Sequence, residues 1–146
     1  MRISLVTFVA LATVMAMPMG VEAQGGKPPI APFAGAKKMT TEEALKEAPK
    51  LDKTLVPLAK AFSTAAAQLK AKPKDAAVKK AYVEAAYKYG HTMMIGQGKL
   101  PPPVQYRASL ALYRKALAVD PKHKGCLEDK KMIEDIYQTM PGGVPK

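Results

Sequence analysis

The sequence predicts an all-α protein in which antiparallel helical hairpins stack on one another. Ala, Lys, Leu and Glu dominate the middle of the chain, whereas β-branched residues are sparse there and Asn-Gly and Asp-Gly hairpin turns are absent. Apolar residues recur at helical spacing across residues 40–140, and many are alanines, whose small side chains let helix axes approach closely. With 146 residues the chain forms one small domain at most, which excludes a large catalytic cleft between subdomains.

The two ends of the chain are predicted to lie outside the helical domain. Residues 1–23 have the layout of a secretory signal peptide, with Arg2 before an apolar run and small residues at a cleavage site after Ala23. That run is about 15 residues, shorter than the roughly 20 of a spanning helix, so we expect cleavage and a secreted or periplasmic protein. Residues 24–39 and 141–146 are rich in Pro and Gly and predict a flexible leader and a tail.

A capping box predicts the first helix. Thr40 is placed to accept a hydrogen bond from a first-turn amide, and Glu43 is placed to reach back. We expect this helix to end near Glu47, before Pro49.

Apolar spacing predicts the second and third helices. The second carries Leu55, Leu58, Phe62 and Leu69 on one face, with Pro57 tolerated in its first turn, and ends before Pro73. Asp75 is the expected N-cap of the third helix, which ends near Gly96. Its expected apolar face comprises Val78, Ala81, Tyr82, Ala85, Ala86, Tyr89 and Met93.

Prolines bound the fourth helix, which is expected to begin near Pro103 and to end at Asp120-Pro121. Its apolar stripe contains Tyr106, Leu110, Tyr113 and Leu117. A fifth helix is expected over residues 124–140, with Cys126, Ile133, Ile136, Tyr137 and Met140 facing inward. An unpaired cysteine in an exported protein is either buried or bridges two chains, and its place on the apolar side favours burial.

Residues 106–121 resemble the second helix of a tetratricopeptide repeat. The spaced positions of that helix hold Tyr106, Ser109, Tyr113, Ala116 and Pro121, with Ser109 in place of the usual Ala. Tyr89-Gly90 is similar to the Leu-Gly pair at which the two helices of a repeat touch. The resemblance implies one well-matched repeat, an insertion between its helices and a C-terminal capping helix. A solenoid needs about three repeats, so dimerisation or an irregular bundle stays open.

The resemblance implies partner binding, because the first helices of such repeats line a groove for a peptide or a protein helix. The matching positions are Glu84, Tyr87, His91 and Met94. Their spacing independently places them on one face of a helix. The alternative is that this face packs against the second or fifth helix.

The charge balance supports a second hypothesis. The chain has 23 Lys and Arg against 12 Asp and Glu, a net charge of +11 that removal of residues 1–23 leaves unchanged. One lysine cluster contains Lys70, Lys72, Lys74, Lys79 and Lys80, and another contains Lys122, Lys124, Lys130 and Lys131. Such a field favours anionic lipid headgroups or envelope polymers. Specific nucleic-acid recognition is disfavoured, because arginines are few and no aromatic residues alternate with the basic ones. A solvated Lys-rich helical surface is the remaining interpretation.

Residues that could support catalysis or bind a metal are poorly arranged for either. Ser63 and Ser109 lie inside helical patterns, and adjacent carboxylates such as Glu128 and Asp129 are expected to be solvated charges rather than an acid–base pair. His91 and Met93 diverge on a helix, so neither they nor the pair His123 and Cys126 predict a metal site. We therefore expect a non-enzymatic, cofactor-free protein that binds another protein or a peptide. The alternative is a basic envelope-associated protein that binds anionic surfaces or polymers.

Overall fold

The computed structural model describes residues 39–96 and 99–146, and within them it contains five α-helices, one short 3-10 helix and no strand. The all-α prediction is therefore confirmed. The expected signal peptide and residues 24–38 of the leader lie outside the described residues. The elements are α1 (Thr41–Leu51), the 3-10 helix η1 (Lys53–Leu55), α2 (Val56–Ala71), α3 (Ala76–Ile95), α4 (Pro102–Val119) and α5 (Lys124–Gln138).

Helix α1 begins as predicted and ends later than predicted. The Thr40 hydroxyl accepts a hydrogen bond from the Glu43 amide at 3.1 Å, and the Glu43 carboxylate accepts one from the Thr40 amide at 2.7 Å. The expected stop before Pro49 is wrong, because Pro49 lies inside the helix. In the last turn a proline removes only one backbone donor, and a later bond, from the Asp52 amide to the Ala48 carbonyl, still forms at 2.9 Å.

Two turns of the same form join α2 to α3 and α4 to α5. In each, a residue that ends one helix is followed by Pro and Lys and then by the N-cap of the next helix: Lys72 to Asp75 in the first turn, Asp120 to His123 in the second. The N-cap amide donates to the carbonyl three residues earlier at 3.2 Å in both. Proline stops the preceding helix and its fixed φ suits the turn.

Helix α4 is the centre of the fold and contacts α1, α3 and α5. The predicted stripe on this helix is too narrow, because 9 of its 18 residues are buried, including Ala108, Ala111 and Leu112. The helix also begins at Pro102, one residue earlier than predicted. Three neighbouring helices leave α4 little surface for solvent, so its alanines are buried as well as its large apolar residues.

The contact between α1 and α4 joins elements that are distant in the sequence. Ala44 and Ala48 of α1 are fully buried, and the Lys115 ammonium of α4 lies 2.9 Å from the Glu42 carboxylate. In a linear stack of repeats each unit contacts only its neighbours in sequence. This long-range contact therefore closes the bundle on one side.

Several residues differ from their predicted placement. Ala81, expected on the apolar face of α3, is exposed, and Ile136 and Met140 are half-buried, whereas Ile133 and Tyr137 are buried as expected. At the C-terminus Val144 packs against the core, and the Thr41 hydroxyl donates to the Lys146 carbonyl at 3.3 Å. No helix among the described residues has both the length and the apolar character needed to span a bilayer.

Candidate functional site

The residues that resemble the packing positions of a repeat meet where α3 crosses α4. The Ser109 hydroxyl donates to the Gly90 carbonyl at 2.9 Å. A Cβ at Gly90 would lie 2.7 Å from the Tyr113 ring, so only glycine permits this approach. Tyr89 and Ala116 are buried, Tyr106 is half-buried and Pro121 begins the α4–α5 turn. The arrangement joins the two helices tightly over the middle of α3.

Most of the stripe Glu84, Tyr87, His91 and Met94 packs against α5 and α4, whereas Glu84 itself is exposed. The Glu84 carboxylate lies 3.6 Å from His123 Nε2, and Tyr113 Oη lies 3.9 Å from the Met94 sulfur. The Tyr87 ring packs against the first turn of α5 so closely that a Cβ at Gly125 would lie 2.7 Å from it. The stripe therefore forms much of the contact between α3 and α5.

A buried carboxylate organises this contact. Asp129 is 8% exposed, and one of its oxygens accepts hydrogen bonds from His91 Nδ1 at 2.8 Å and from Tyr113 Oη at 2.9 Å. Burial raises the pKa of Tyr113 well above its ordinary value, and the hydrogen bond to Asp129 adds to that rise. The phenol consequently stays protonated and can donate, which satisfies the carboxylate that the fold buries.

The expectation that Asp129 is a solvated charge is wrong. Neighbouring residues on a helix point in different directions, so Glu128 is exposed while Asp129 lies on the same side as Cys126 and Ile133. Asp129 is three residues after Cys126 and four before Ile133, and this spacing was the sequence signal that could have predicted its burial. The donors that permit its burial come from α3 and α4, so the sequence of α5 alone does not indicate them.

Two aromatic contacts with Tyr87 fix the imidazoles of His91 and His123. The Tyr87 ring stacks on His91, with 5.3 Å between ring centroids, and lies 5.1 Å from the ring of His123. His123 Nδ1 also accepts a hydrogen bond from the Cys126 amide at 3.2 Å and so caps α5. Both imidazoles are thus held by contacts within the chain. Residues 39–96 and 99–146 contain no group of three or more His, Cys, Asp or Glu side chains placed to hold a metal ion.

The nucleophiles of this region are also engaged in packing. Cys126 is fully buried, and burial raises the pKa of its thiol to about 12. A thiol with this pKa stays protonated at neutral pH and is a poor nucleophile. Ser109 is buried and donates its proton to a backbone carbonyl. The geometry around Tyr87 is therefore that of a packed polar interface.

An open cleft of about 370 Å³ lies beside this interface. It lies between the start of α3 and the α4–α5 turn. Its lining combines the buried Val83 and the half-buried Val119, which we term the apolar floor, with exposed charged side chains. The lining residues are Ala76, Lys79, Lys80, Val83, Glu84, Val119, Asp120 and His123. Of the predicted stripe only Glu84 lines this cleft, which sequence reasoning missed because its two walls are more than thirty residues apart in the chain.

The two predicted lysine clusters have different surroundings. Lys130 and Lys131 are each 2.7 Å from a carboxylate one helical turn further along α5, at Glu134 and Asp135. Among the described residues no carboxylate pairs with the lysines around the cleft, which we term the lysine end: Lys70, Lys72, Lys74, Lys79, Lys80 and Lys122. The end of the molecule that contains both Pro-Lys turns therefore has six lysines with no carboxylate partner among the described residues.

Comparisons with known proteins returned no match to a family model, to a curated protein or to a solved structure. The resemblance of residues 106–121 to a tetratricopeptide repeat stays a prediction.

Proposed function

We propose that this chain is a non-catalytic module that binds another protein or a peptide, and that the partner occupies the cleft between α3 and the α4–α5 turn. The observation that carries the proposal is the cleft itself. Its volume of about 370 Å³ is in the range of ligand sites, and it combines an apolar floor with charged side chains at the rim. The resemblance to tetratricopeptide repeats supports a binding role but places the partner on the stripe, most of which packs against α4 and α5.

Binding to anionic envelope polymers or lipid surfaces is the second candidate. The unpaired lysines of the lysine end favour it, because a group of like charges attracts any polyanion. We also propose that the protein is exported from the cytoplasm. This proposal rests only on the signal-peptide layout of residues 1–23.

Site-specific photo-crosslinking tests the proposed location of the partner. A benzophenone amino acid replaces Ala76, which is exposed and lines the cleft, or Ala67, a matched exposed alanine on α2 outside the cleft. After irradiation in cells, we expect a discrete protein adduct at position 76 and none at position 67. Adducts of equal yield at both positions, or none at position 76, would contradict the proposal.

Ionic strength separates the two candidates. Association with a polyanion weakens steeply as salt rises, whereas a partner seated on the apolar floor is retained at moderate salt. In cell extract irradiated after a rise from roughly 50 to 200 mM salt, we therefore expect the adduct at position 76 to form in undiminished yield. An adduct lost over that range would favour the second candidate.

A further inference from the structure

The carboxylates and the ammonium groups of the cleft differ in what they already bind. The Glu84 carboxylate faces His123 at 3.6 Å, and the Asp120 carboxylate accepts a hydrogen bond from the Lys122 amide at 3.0 Å. Lys79 and Lys80 line the same cleft, and no described carboxylate forms an ion pair with either. The acidic groups of the cleft are thus engaged within the chain, while its two ammonium groups remain available to a ligand.

The surroundings of the cleft reinforce this asymmetry. Lys72 and Lys74 immediately precede α3, and Lys122 lies in the turn that forms the opposite wall. The helices α3 and α5 begin at this end and α2 and α4 end there, so their opposed terminal dipoles offset one another and the side chains set the local charge. A ligand that approaches the cleft therefore meets a positive field before it makes contact.

The apolar floor restricts the class of ligand further. Val83 is 2% exposed and Val119 is half-buried, so Val119 offers most of the apolar surface of the floor, which a purely charged polymer does not use. Exposed ion pairs each contribute little to affinity, so specific binding requires burial of apolar surface as well. The ligand that matches both features has carboxylates on either side of an aliphatic side chain.

We propose that the cleft binds an acidic segment of a partner protein, with an aliphatic side chain on the Val83–Val119 floor and flanking carboxylates at Lys79 and Lys80. This inference rests on the proposed binding function and names the chemistry of the partner at the same site. Glu84 and Asp120 also line the cleft, so their carboxylates repel surplus acidic groups of the ligand and limit where its acidic residues can sit.

Three short synthetic peptides test the recognition. The first has a central Leu flanked on each side by two Glu, the second replaces Leu by Gly, and the third replaces every Glu by Gln; all carry a fluorophore and blocked ends. We expect the purified full chain to bind the first peptide, to bind the second several-fold more weakly for want of apolar contact, and not to bind the third. Equal binding of the first two would overturn the proposal, because charge alone would then be recognised.

Variants in which lysines are replaced by uncharged glutamines test where the peptide binds. Lys79→Gln with Lys80→Gln removes two charges from the cleft, and Lys60→Gln with Lys88→Gln removes two exposed, unpaired charges from elsewhere on α2 and α3. We expect the first pair to weaken binding of the Leu peptide roughly tenfold and the second pair to change it less than twofold. Thermal melting of both variants tests whether they remain folded. Equal losses in both variants would place the peptide outside the cleft and contradict the inference.

The results separate this inference from the proposed function. A protein adduct at position 76 without binding of the Leu peptide would overturn the acidic-segment assignment and leave the binding function standing. Tighter binding to anionic vesicles or to polyglutamate than to the Leu peptide would overturn the assignment in favour of a polyanion. If neither the adduct at position 76 nor binding of the Leu peptide is observed, both proposals are contradicted.

Discussion

The segments α2–turn–α3 and α4–turn–α5 share the same turn but differ in how their first helix is packed. Helix α2 buries a single residue, Ala65, whereas α4 buries half of its residues. Both helices end at a Pro-Lys turn with the same backbone hydrogen bond. The comparison shows that local sequence sets the turn, while the number of neighbouring helices sets how much each helix contributes to stability.

The two helices also differ in which elements cover them. Helix α4 contacts α1 on one side and α3 and α5 on others, whereas α2 contacts α3 and η1. Half-buried residues such as Phe62 and Leu69 hold α2 in place, so its packing is shallower than that of α4. Substitutions of the same kind should therefore have unequal effects in the two helices.

The largest expected difference comes from matched leucine substitutions. Leu110→Ala in α4 removes a fully buried side chain and is expected to lower the free energy of unfolding by about 3 kcal/mol. Leu69→Ala in α2 removes a half-buried leucine and should cost roughly 1 kcal/mol, because solvent already reaches part of it. Urea denaturation of both variants measures the difference. Equal losses would show that α2 is as tightly packed as α4.

A smaller effect is expected at the second residue of the helix that follows each turn. Gly125→Ala places a Cβ 2.7 Å from the Tyr87 ring and should cost about 2 kcal/mol. The corresponding residue after the first turn, Ala77, is exposed, so Ala77→Gly should cost only the difference in helix propensity, roughly 1 kcal/mol.

Truncation of the facing ring distinguishes a steric effect at Gly125 from other causes. With Tyr87→Ala already in place, Gly125→Ala should no longer destabilise, because the atoms that it meets are gone. The double-mutant cycle is read from thermal or urea unfolding. An undiminished loss in the Tyr87→Ala background would show that the ring does not set the position of α5.

The smallest effect concerns alkaline pH and the buried thiol of α5. Burial raises the pKa of Cys126 from 9.0 to about 12, so above pH 9 the unfolded chain loses a proton that the folded chain retains. The stability that this thiol contributes is complete below pH 9 and is lost progressively as pH rises towards 12. At pH 10 the loss relative to pH 8 should be about 1 kcal/mol.

A Cys126→Ala variant isolates this contribution from that of the buried tyrosines. Its unfolding free energy should fall less between pH 8 and pH 10 than that of the unaltered chain, since both share the same tyrosines. Parallel curves for the two proteins would mean that the thiol is accessible to solvent in the folded state.

The elements that the sequence predicted well are those controlled by neighbouring residues. The capping box at Thr40 and Glu43, the N-cap at Asp75 and the proline turns all depend on groups within four residues of one another. Pro49 was misjudged because a proline in a last helical turn can be accommodated when later backbone bonds still form. The predicted stripe from Glu84 to Met94 does share one helical face, but the sequence left open what that face contacts.

The candidate site was less predictable, because its parts come from separate helices. Asp129 is buried because His91 and Tyr113 arrive from α3 and α4 with donors for its carboxylate. The cleft exists because the α4–α5 turn stands beside the start of α3 without filling the space between them. The residue spacing within a single helix predicts neither the burial of Asp129 nor the cleft.

By itself the sequence determined the helices, their caps and the two turns, since helical periodicity and capping are short-range properties of the chain. Tertiary structure alone decided that α4 lies at the centre, that most of the stripe on α3 packs against α4 and α5, and that lysines with no described carboxylate partner lie in and around an apolar cleft. The physical reason is that burial and electrostatic environment depend on which surfaces meet, and here those surfaces belong to different helices, with 16 positions between Tyr113 and Asp129 and 38 between His91 and Asp129.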